Sequence, residues 1–307
     1  MTEFIPQIAI VTDDPGWHGQ QLVDALRHHG LGASYVKLTD SYFSFSDEQI
    51  QLKLSGFENR YPLGVFVRGV PGGTLEQVIL RLDYLHALTR IGIVVYNDPR
   101  AIERTVDKTM TTFLLNQAGL PTPPTWVFES EQAAHALCDE KIAQGKALVL
   151  KPPFGSQGIG VQLVDRDHPL STDETFSGVY YLQQFVERSG TEWKDIRVFV
   201  INNCAVAAMM RVSSTWITNR ARGARCERLI MDNNLKELAE AAARAVSIDY
   251  AGVDIIIDPD GKLQIIEINS VPAWWGLQSV TDLNIAGAII DDFVKKIGES
   301  HALTVQS

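Results

Sequence analysis

The sequence KALVLKPPFGSQGIGVQLV, residues 146–164, decides the fold. It reads as strand, glycine-rich loop, strand. Residues 147–150 form a short apolar run that ends on Lys151, and Gly155, Gly158 and Gly160 then sit among small or polar residues. Residues 161–164 resume an extended pattern. Glycine lets a backbone turn tightly, and it lets N–H groups approach an anion with no Cβ in the way. A lysine just before such a loop suits an α- or β-phosphate.

The spacing excludes two familiar phosphate loops. A Walker A loop needs GxxxxGK[ST], and no lysine follows these glycines. The dinucleotide fingerprint GxGxxG must open a helix. Here the order is GxxGxG, and β-branched and apolar residues follow. A loop closing a β-hairpin over phosphates is one reading; an ordinary glycine-rich surface turn is the other.

The second informative stretch is GVDIIIDPDGKLQIIEIN, residues 252–269. DPDG is a strong turn signal between two apolar strands. With a loop of two or four residues, Asp254 lies opposite Ile265, and alternation puts Glu267 and Asn269 on the same face as Asp254. Glu267 is then one diagonal step from Asp254. A three-residue loop breaks this parity. Two carboxylates and an amide on one face of apolar strands are expensive to bury without a counter-charge. Such an all-oxygen set suits Mg²⁺ bridging nucleotide phosphates. Half-exposed carboxylates on a solvated sheet face are the alternative.

Upstream, strands and helices alternate. Residues 8–11 read as a buried strand, followed by the polar turn TDDPGWHG and a helix with Leu22, Val23, Ala25 and Leu26 on its apolar face, ended by Gly30. Further strands are expected at 33–38, 63–67 and 91–96, with a helix at 75–88. This alternation argues for a small open parallel sheet, in which ligands gather at the carboxyl ends of strands. Arg68 sits at such an end. It is either a ligand for a carboxylate or phosphate of a substrate, or an exposed arginine in a turn.

Residues 101–119 read as one helix carrying Lys108, and LPTPPTW as an extended linker, because proline excludes helix. A strand from Val127, a helix at 131–145 and a strand at 180–186 complete an α+β unit. Strands at 196–200 and 204–210 flank an Asn202-Asn203 turn, and Leu235, Leu238, Ala239, Ala242 and Val246 form a helical core stripe. The expected division is 1–100, 101–183 and 184–300. Between 211 and 225, Arg211, Arg220, Arg222 and Arg225 cluster with Asn219 in an otherwise acidic chain. That cluster is a local anion site or a solvated loop.

Bulk properties narrow the function. The 307 residues suit two or three subdomains, and the net charge of −10 argues against a nucleic-acid partner. Cys138, Cys204 and Cys226 are scattered and lack CxxC spacing, so neither a zinc site nor a disulfide framework is expected. There is no basic n-region and no apolar run near the roughly 18 residues of a spanning helix. A cytoplasmic protein without a membrane partner is expected.

Together these stretches resemble the ATP-grasp ligases, and more narrowly the RimK-type glutamate ligases. The tokens occur in family order: DKTMTTFLLNQAGLPTPPT, VLKPPFGSQGIGV, LQQFVE, DIRVFV, TNRARGA, AGVDIII and IEINSVPAWWGLQ. The resemblance covers about residues 60–297. It implies an α/β (α+β) ATP-grasp fold with an N-terminal pre-ATP-grasp parallel-sheet domain. It implies ATP and Mg²⁺ (or Mn²⁺) as cofactors, and a homodimer or homotetramer.

By position, Lys108 and Lys151 match lysines that hold nucleotide phosphates, with Gly155, Ser156, Gln157 and Gly158 forming the loop over them. The hinge backbone at Gln184 and Val186 would meet adenine, Phe185 between them belongs to the ATP-binding set, and Glu187 would meet the ribose hydroxyls. Asp254, Glu267 and Asn269 match metal ligands. Arg197 and Arg222 match arginines near the transferred phosphate, Asn219 a nearby polar ligand, and Arg211 a holder of a substrate carboxylate.

Four positions depart from the family pattern: Gln184 replaces a common glutamate, the loop before DIR is long, Ala224 replaces a glycine, and so does Ala273. NSVPAWWGLQ resembles the branch that ligates glutamate to tetrahydromethanopterin-type cofactors. The implied activity joins an amino acid, glutamate, to a carboxylate acceptor through an acyl phosphate. The acceptor is a small molecule such as a pterin cofactor, or a peptide. A nucleotide-binding regulator on the same fold, or a ligase for another amino acid, is the alternative.

Overall fold

The computed structural model describes residues 7–46, 50–57, 60–155, 158–171, 173, 176–188 and 190–304. Chain order begins with a parallel sheet built from β1 (Ile8–Val11), β2 (Ala33–Val36), β5 (Gly64–Val67) and β6 (Val94–Tyr96), in spatial order β2-β1-β5-β6. Every residue of β1 and β5 is buried, as expected for strands covered on both faces. α1 (Gly16–His28) lays Leu22, Ala25 and Leu26 on the sheet, and Gly30 follows at φ +68°, where a Cβ would be strained. α2 (Leu75–Arg90) opens on a capping box in which Thr74 and Gln77 satisfy each other's N–H groups. A small hairpin, β3 (Tyr42–Phe45) with β4 (Ile50–Lys53), was not anticipated from the sequence.

The helix expected over 101–119 is two helices. α3 (Pro99–Val106) ends where Asp107 turns extended (φ −80°, ψ 101°), and α4 (Lys108–Gln117) begins there. The Asp107 carboxylate accepts from the N–H groups of Thr109 and Met110. An aspartate that satisfies two N–H groups of a new first turn favours a restart over continuation.

A second sheet follows, antiparallel, in order β7-β10-β8-β9: β7 (Thr125–Phe128), β8 (Leu148–Lys151), β9 (Gln162–Val164) and β10 (Tyr180–Gln184), with α5 (Glu131–Ala143) against it. β8 and β9 form the hairpin expected around the glycine loop, Leu150 pairing with Gln162. The strand expected to reach residue 186 stops at Gln184.

The third sheet is also antiparallel: β11 (Trp193–Ile201), β12 (Cys204–Ser213), β13 (Arg225–Arg228), β14 (Tyr250–Ile257) and β15 (Leu263–Asn269), in order β13-β12-β11-β14-β15. Asn202 and Asn203 both have positive φ (48° and 60°), the conformation a tight hairpin turn demands. α6 (Asn233–Val246) buries Leu235, Ala239, Ala242 and Val246 on this sheet, where Ala101 and Leu115 from α3 and α4 join the same core.

The β14–β15 register departs from the expected one. Ile257 pairs with Leu263, so the loop spans 258–262 and is odd in length. A bulge then shifts the ladder between Asp254 and Ile255, so that Asp254 faces Glu267 directly rather than Ile265. The odd loop breaks parity and the bulge restores it.

The short helix α7 (Trp275–Gln278) follows β15, and α8 (Ile285–Thr304) returns to the first sheet. Phe293 and Ile297 pack over Gly64, where a Cβ would come within 2.6 Å of Ile297 Cδ1. Asn97, fully buried, ties the end of β6 to the third sheet. Its Nδ2 donates to the carbonyls of Tyr250 and Ser270, and its Oδ1 accepts from the N–H groups of Asp249 and Tyr250. No helix of the described residues is long and apolar enough to cross a membrane.

Candidate active site

A cleft of about 240 Å³ lies between the second and third sheets. It is lined by Lys108, Lys151, Gly155, Gly158, Gln184, Phe185, Val186, Glu187, Arg211, Asn219, Asp254 and Glu267 among the residues singled out from the sequence. Ser156 and Gln157 lie outside the described residues. Val149, Val161, Met210 and Ile266 add an apolar slot that sequence reasoning did not single out. A slot with a few convergent polar groups is the usual form of a small-molecule site.

The cationic end comes from two elements. Lys108 is the first residue of α4, and its Nζ donates to the Gly155 carbonyl at 3.0 Å. Lys151 ends β8, and its Nζ donates to Gln183 Oε1 at 2.7 Å. Gln183 is buried and held in turn, its Nε2 donating to Thr125 Oγ1 at 3.1 Å. The sequence had marked Gln184 and passed over its neighbour, although strand alternation points Gln183 the other way, to the lysine. Burial pushes the Lys151 ammonium down to about 8; Glu267 pulls it back up, and Lys108 opposes that. The Lys108 ammonium is lowered by burial as well, against the fields of Glu267 and Asp107. Two lysines with depressed pKa values bordering one cleft are poised to gain from a bound polyanion.

The acidic end is built on β14 and β15. Asp254 is 1% exposed. Its two oxygens accept from Arg197 Nε and Nη2 at 2.7 and 2.6 Å, and Arg211 Nη2 lies 3.0 Å from Oδ2. Arg211, 3% exposed, is also paired bidentately with Asp195, through Nε at 2.7 Å and through Nη2. Two aspartates and two arginines thus alternate in a buried, neutral chain. Burial alone would raise the Asp254 carboxyl, but the two guanidiniums outweigh it and hold the carboxyl below its ordinary value. In this arrangement the Arg211 donors are directed at carboxylates of the chain itself. Asp195 was missed, although the argument that selected Asp254, a charge inside an apolar strand, applies equally to DIRVFV.

Glu267, half-buried, faces Asp254 across the ladder, and Asn269 Nδ2 donates to Asp254 Oδ2 and the Gly252 carbonyl, both at 3.4 Å. The Asn269 amide oxygen and the Glu267 carboxylate are left as oxygen donors beside Asp254. Together they are the donor set that a hard divalent cation such as Mg²⁺ takes.

The loop after β12 closes over the glycine loop. Arg222 Nη2 donates to the Gly158 carbonyl at 2.9 Å. Gly158 has φ +69°, and a Cβ there would sit 2.9 Å from Asn219 Oδ1. Phe185 packs against Trp193 and Trp216, giving the hinge end an aromatic wall. The Gln184 N–H is taken by the Pro124 carbonyl and that of Phe185 by Ala147. Arg68 is not brought into this cleft. It lies at the end of β5 against Trp274, with Nη1 3.5 Å from the Val271 carbonyl.

Fold and site define a cleft between two antiparallel sheets, with lysines on one side and carboxylates on the other. The chain belongs to the RimK-like ATP-grasp family, whose model matches residues 105–293. It is 34% identical over 226 residues to the tetrahydromethanopterin:alpha-L-glutamate ligase of Methanocaldococcus jannaschii, covering 71% of this chain and 75% of that one. The enzyme of the same name from Methanococcus maripaludis is 29% identical, covering 93% of this chain and 97% of that one. Among solved structures, the ATP-grasp ligase PsnB, complexed with a phosphomimetic variant of its minimal precursor, Mg and ADP, superposes with a TM-score of 0.73 at 20% identity, covering 96% of this chain and 100% of that one.

Proposed function

We propose that the protein is an ATP-dependent carboxylate–amine ligase that adds glutamate to a carboxylate acceptor, a small molecule such as a pterin cofactor or a peptide. The observation that carries this reading is the convergence of Lys108, Lys151, Asp254 and Glu267 on one cleft roofed by a glycine-rich hairpin. Family membership and the named activities of the relatives support it.

In this reading the acceptor carboxylate takes the γ-phosphoryl group of ATP to give an acyl phosphate and ADP. The glutamate amine then attacks the acyl carbon, and phosphate leaves with the C–O bond as the amide forms. Lys108 and Lys151 hold the nucleotide phosphates, and Gly158 carries the loop over them. The apolar slot and Phe185 take the base, with Glu187 at the ribose.

Asp254, Glu267 and Asn269 are the residues that would hold Mg²⁺ or Mn²⁺. When bound, that ion neutralises charge on the phosphates. Arg197 and Arg211 keep Asp254 ionised and fixed in orientation, so the site needs little reorganisation as charge moves. Arg222 and Asn219 stand where the glycine loop meets the phosphates. We place the protein in the cytoplasm, where ATP and free thiols coexist.

The test is ADP and phosphate release from MgATP with glutamate and a panel of pterin and peptide carboxylates. Release that needs both acceptor and amine, and is lost in Glu267→Gln, supports the ligase. ADP formation that is indifferent to every acceptor and amine tested counts against it.

A further inference from the structure

Arg68 is a half-buried arginine that pairs with no carboxylate among the described residues. Its Nε is buried and, among the described residues, has no hydrogen-bond partner. Its one hydrogen bond among the described residues is the long contact of Nη1 with the Val271 carbonyl. Arg197 and Arg211, by contrast, each face aspartates. Burial is the largest influence on the Arg68 guanidinium and lowers its pKa, against the weaker opposing fields of Tyr250 and Asp14. A chain with a net charge of −10 has carboxylates to spare, yet none of the described ones pairs with Arg68. The Trp274 ring, 5.4 Å from the guanidinium carbon, offsets only a fraction of the desolvation cost.

The surroundings are arranged as donors. His18 Nε2 accepts from the N–H groups of Trp274 and Trp275 at 3.1 and 3.3 Å. A neutral imidazole with one nitrogen accepting must carry its proton on the other, so His18 presents Nδ1–H. Burial, reinforced by Arg68, pushes the His18 pKa down to about 4 and keeps the ring in this form. His18 and Arg68 share the Trp274 ring, His18 lying edge-on at 4.6 Å. Trp274 is fully buried, and its own Nε1 has no partner among the described residues. The first turn of α1, which carries His18, has no side-chain cap and no acidic residue.

The position relates this cluster to the cleft. Val271 lies two residues past Asn269, a chain distance of at most about 7 Å. Arg68 therefore adjoins the carboxylate end of the cleft but does not line it. We infer that the acceptor is at least a dianion: one carboxylate enters the cleft to be activated, and a second anionic group, carboxylate or phosphate, is held by Arg68 beside His18 and Trp274. This rests on the ligase reading and narrows its substrate class.

The experiment titrates the full chain, with and without MgADP, with glutarate, 3-phosphonopropionate and butyrate. The inference expects at least one dianion to bind about ten-fold or more tightly than butyrate. Which dianion does so identifies the group on Arg68. Arg68→Gln should erase the preference and Arg68→Lys should retain part of it, with MgADP affinity within about two-fold of the parent in both. Equal binding of all three probes to the parent chain, or a preference that survives Arg68→Gln, overturns the inference. Loss of MgADP binding by the parent chain would sink the ligase reading alone, because the probe titrations without nucleotide still report on Arg68.

Discussion

Asp254 stands directly opposite Glu267 across the β14–β15 ladder, and it does so because a bulge offsets an odd-length loop. The bulge is the compensating feature: without it, residues 258–262 would put the two carboxylates on opposite faces. A bulge beside a functional pair re-aims a side chain at small cost to the ladder. Glu267→Gln, which keeps the register, should lower kcat on the order of 10²–10³-fold. Activity that survives Glu267→Gln unchanged would remove the pair from the mechanism.

The carboxylate-paired Arg211 and the unpaired Arg68 should behave oppositely in unfolding measurements. Arg211→Met strands Asp195 in the interior, while Asp254 keeps Arg197, and should cost about 3–5 kcal/mol. Arg68→Met removes a half-buried charge that has no carboxylate partner among the described residues and should raise stability by about 0.5–2 kcal/mol. Chemical denaturation of both variants checks this. A destabilised Arg68→Met would mean that the guanidinium is structural.

Nucleotide affinity should fall at high pH. Lys151 has its pKa near 8 in the free protein. A bound polyphosphate favours the charged form and raises that value. Binding therefore takes up a proton above pH 8 and none well below it. The Kd for ADP should stay flat below about pH 7.5 and rise by up to about ten-fold per pH unit above 8. Glu267→Gln removes the anion that raises the Lys151 pKa and should move the break to lower pH. Fluorescent-nucleotide titrations across pH 6.5–9.5 would show it, and a profile flat to pH 9.5 would exclude Lys151 as a phosphate ligand.

Gly158→Ala tests the clasp between the two loops. The new methyl would meet Asn219 Oδ1 at 2.9 Å on a backbone at φ +69°. The Asn219 side chain must move and the loop must strain. KM for ATP should rise about ten-fold or more while the unfolding midpoint of the chain changes little, since Gly158 packs into no core cluster. An unchanged KM would show that the loop is not closed on Asn219 during turnover.

Gly64→Val tests how α8 is seated. The added side chain enters space held by Ile297 and Phe293. Overpacking of this kind costs about 1–3 kcal/mol. Thermal unfolding should report that loss, and a neutral substitution would mean that α8 is not docked on β5.

The glycine hairpin, the hinge and the carboxylate strands were legible in the sequence because each is a local pattern. Strand periodicity, glycine spacing and the DPDG turn act over a few residues, so lysine and carboxylate positions could be marked without knowing what they face. The break at Asp107 was legible in principle, since aspartate before Lys108 is a helix-start signal, but the apolar stretch on both sides masked it. The β14–β15 pairing is a different case. Sequence parity placed Asp254 and Glu267 on one face through an even loop, whereas the chain reaches that face through an odd loop and a bulge. Bulges leave almost no mark in composition.

Nothing local could reveal that Asp195 and Asp254 share Arg211, or that α8 packs on Gly64. These are long-range contacts, chosen by which partner a buried charge or apolar face finds once the sheets have closed. Arg68 shows the same division. Its place at the carboxyl end of a strand follows from the strand pattern of the sequence. Its lack of a counter-ion is a property of the folded interior alone, because only packing decides which carboxylates come within reach of a buried guanidinium and which stay in water.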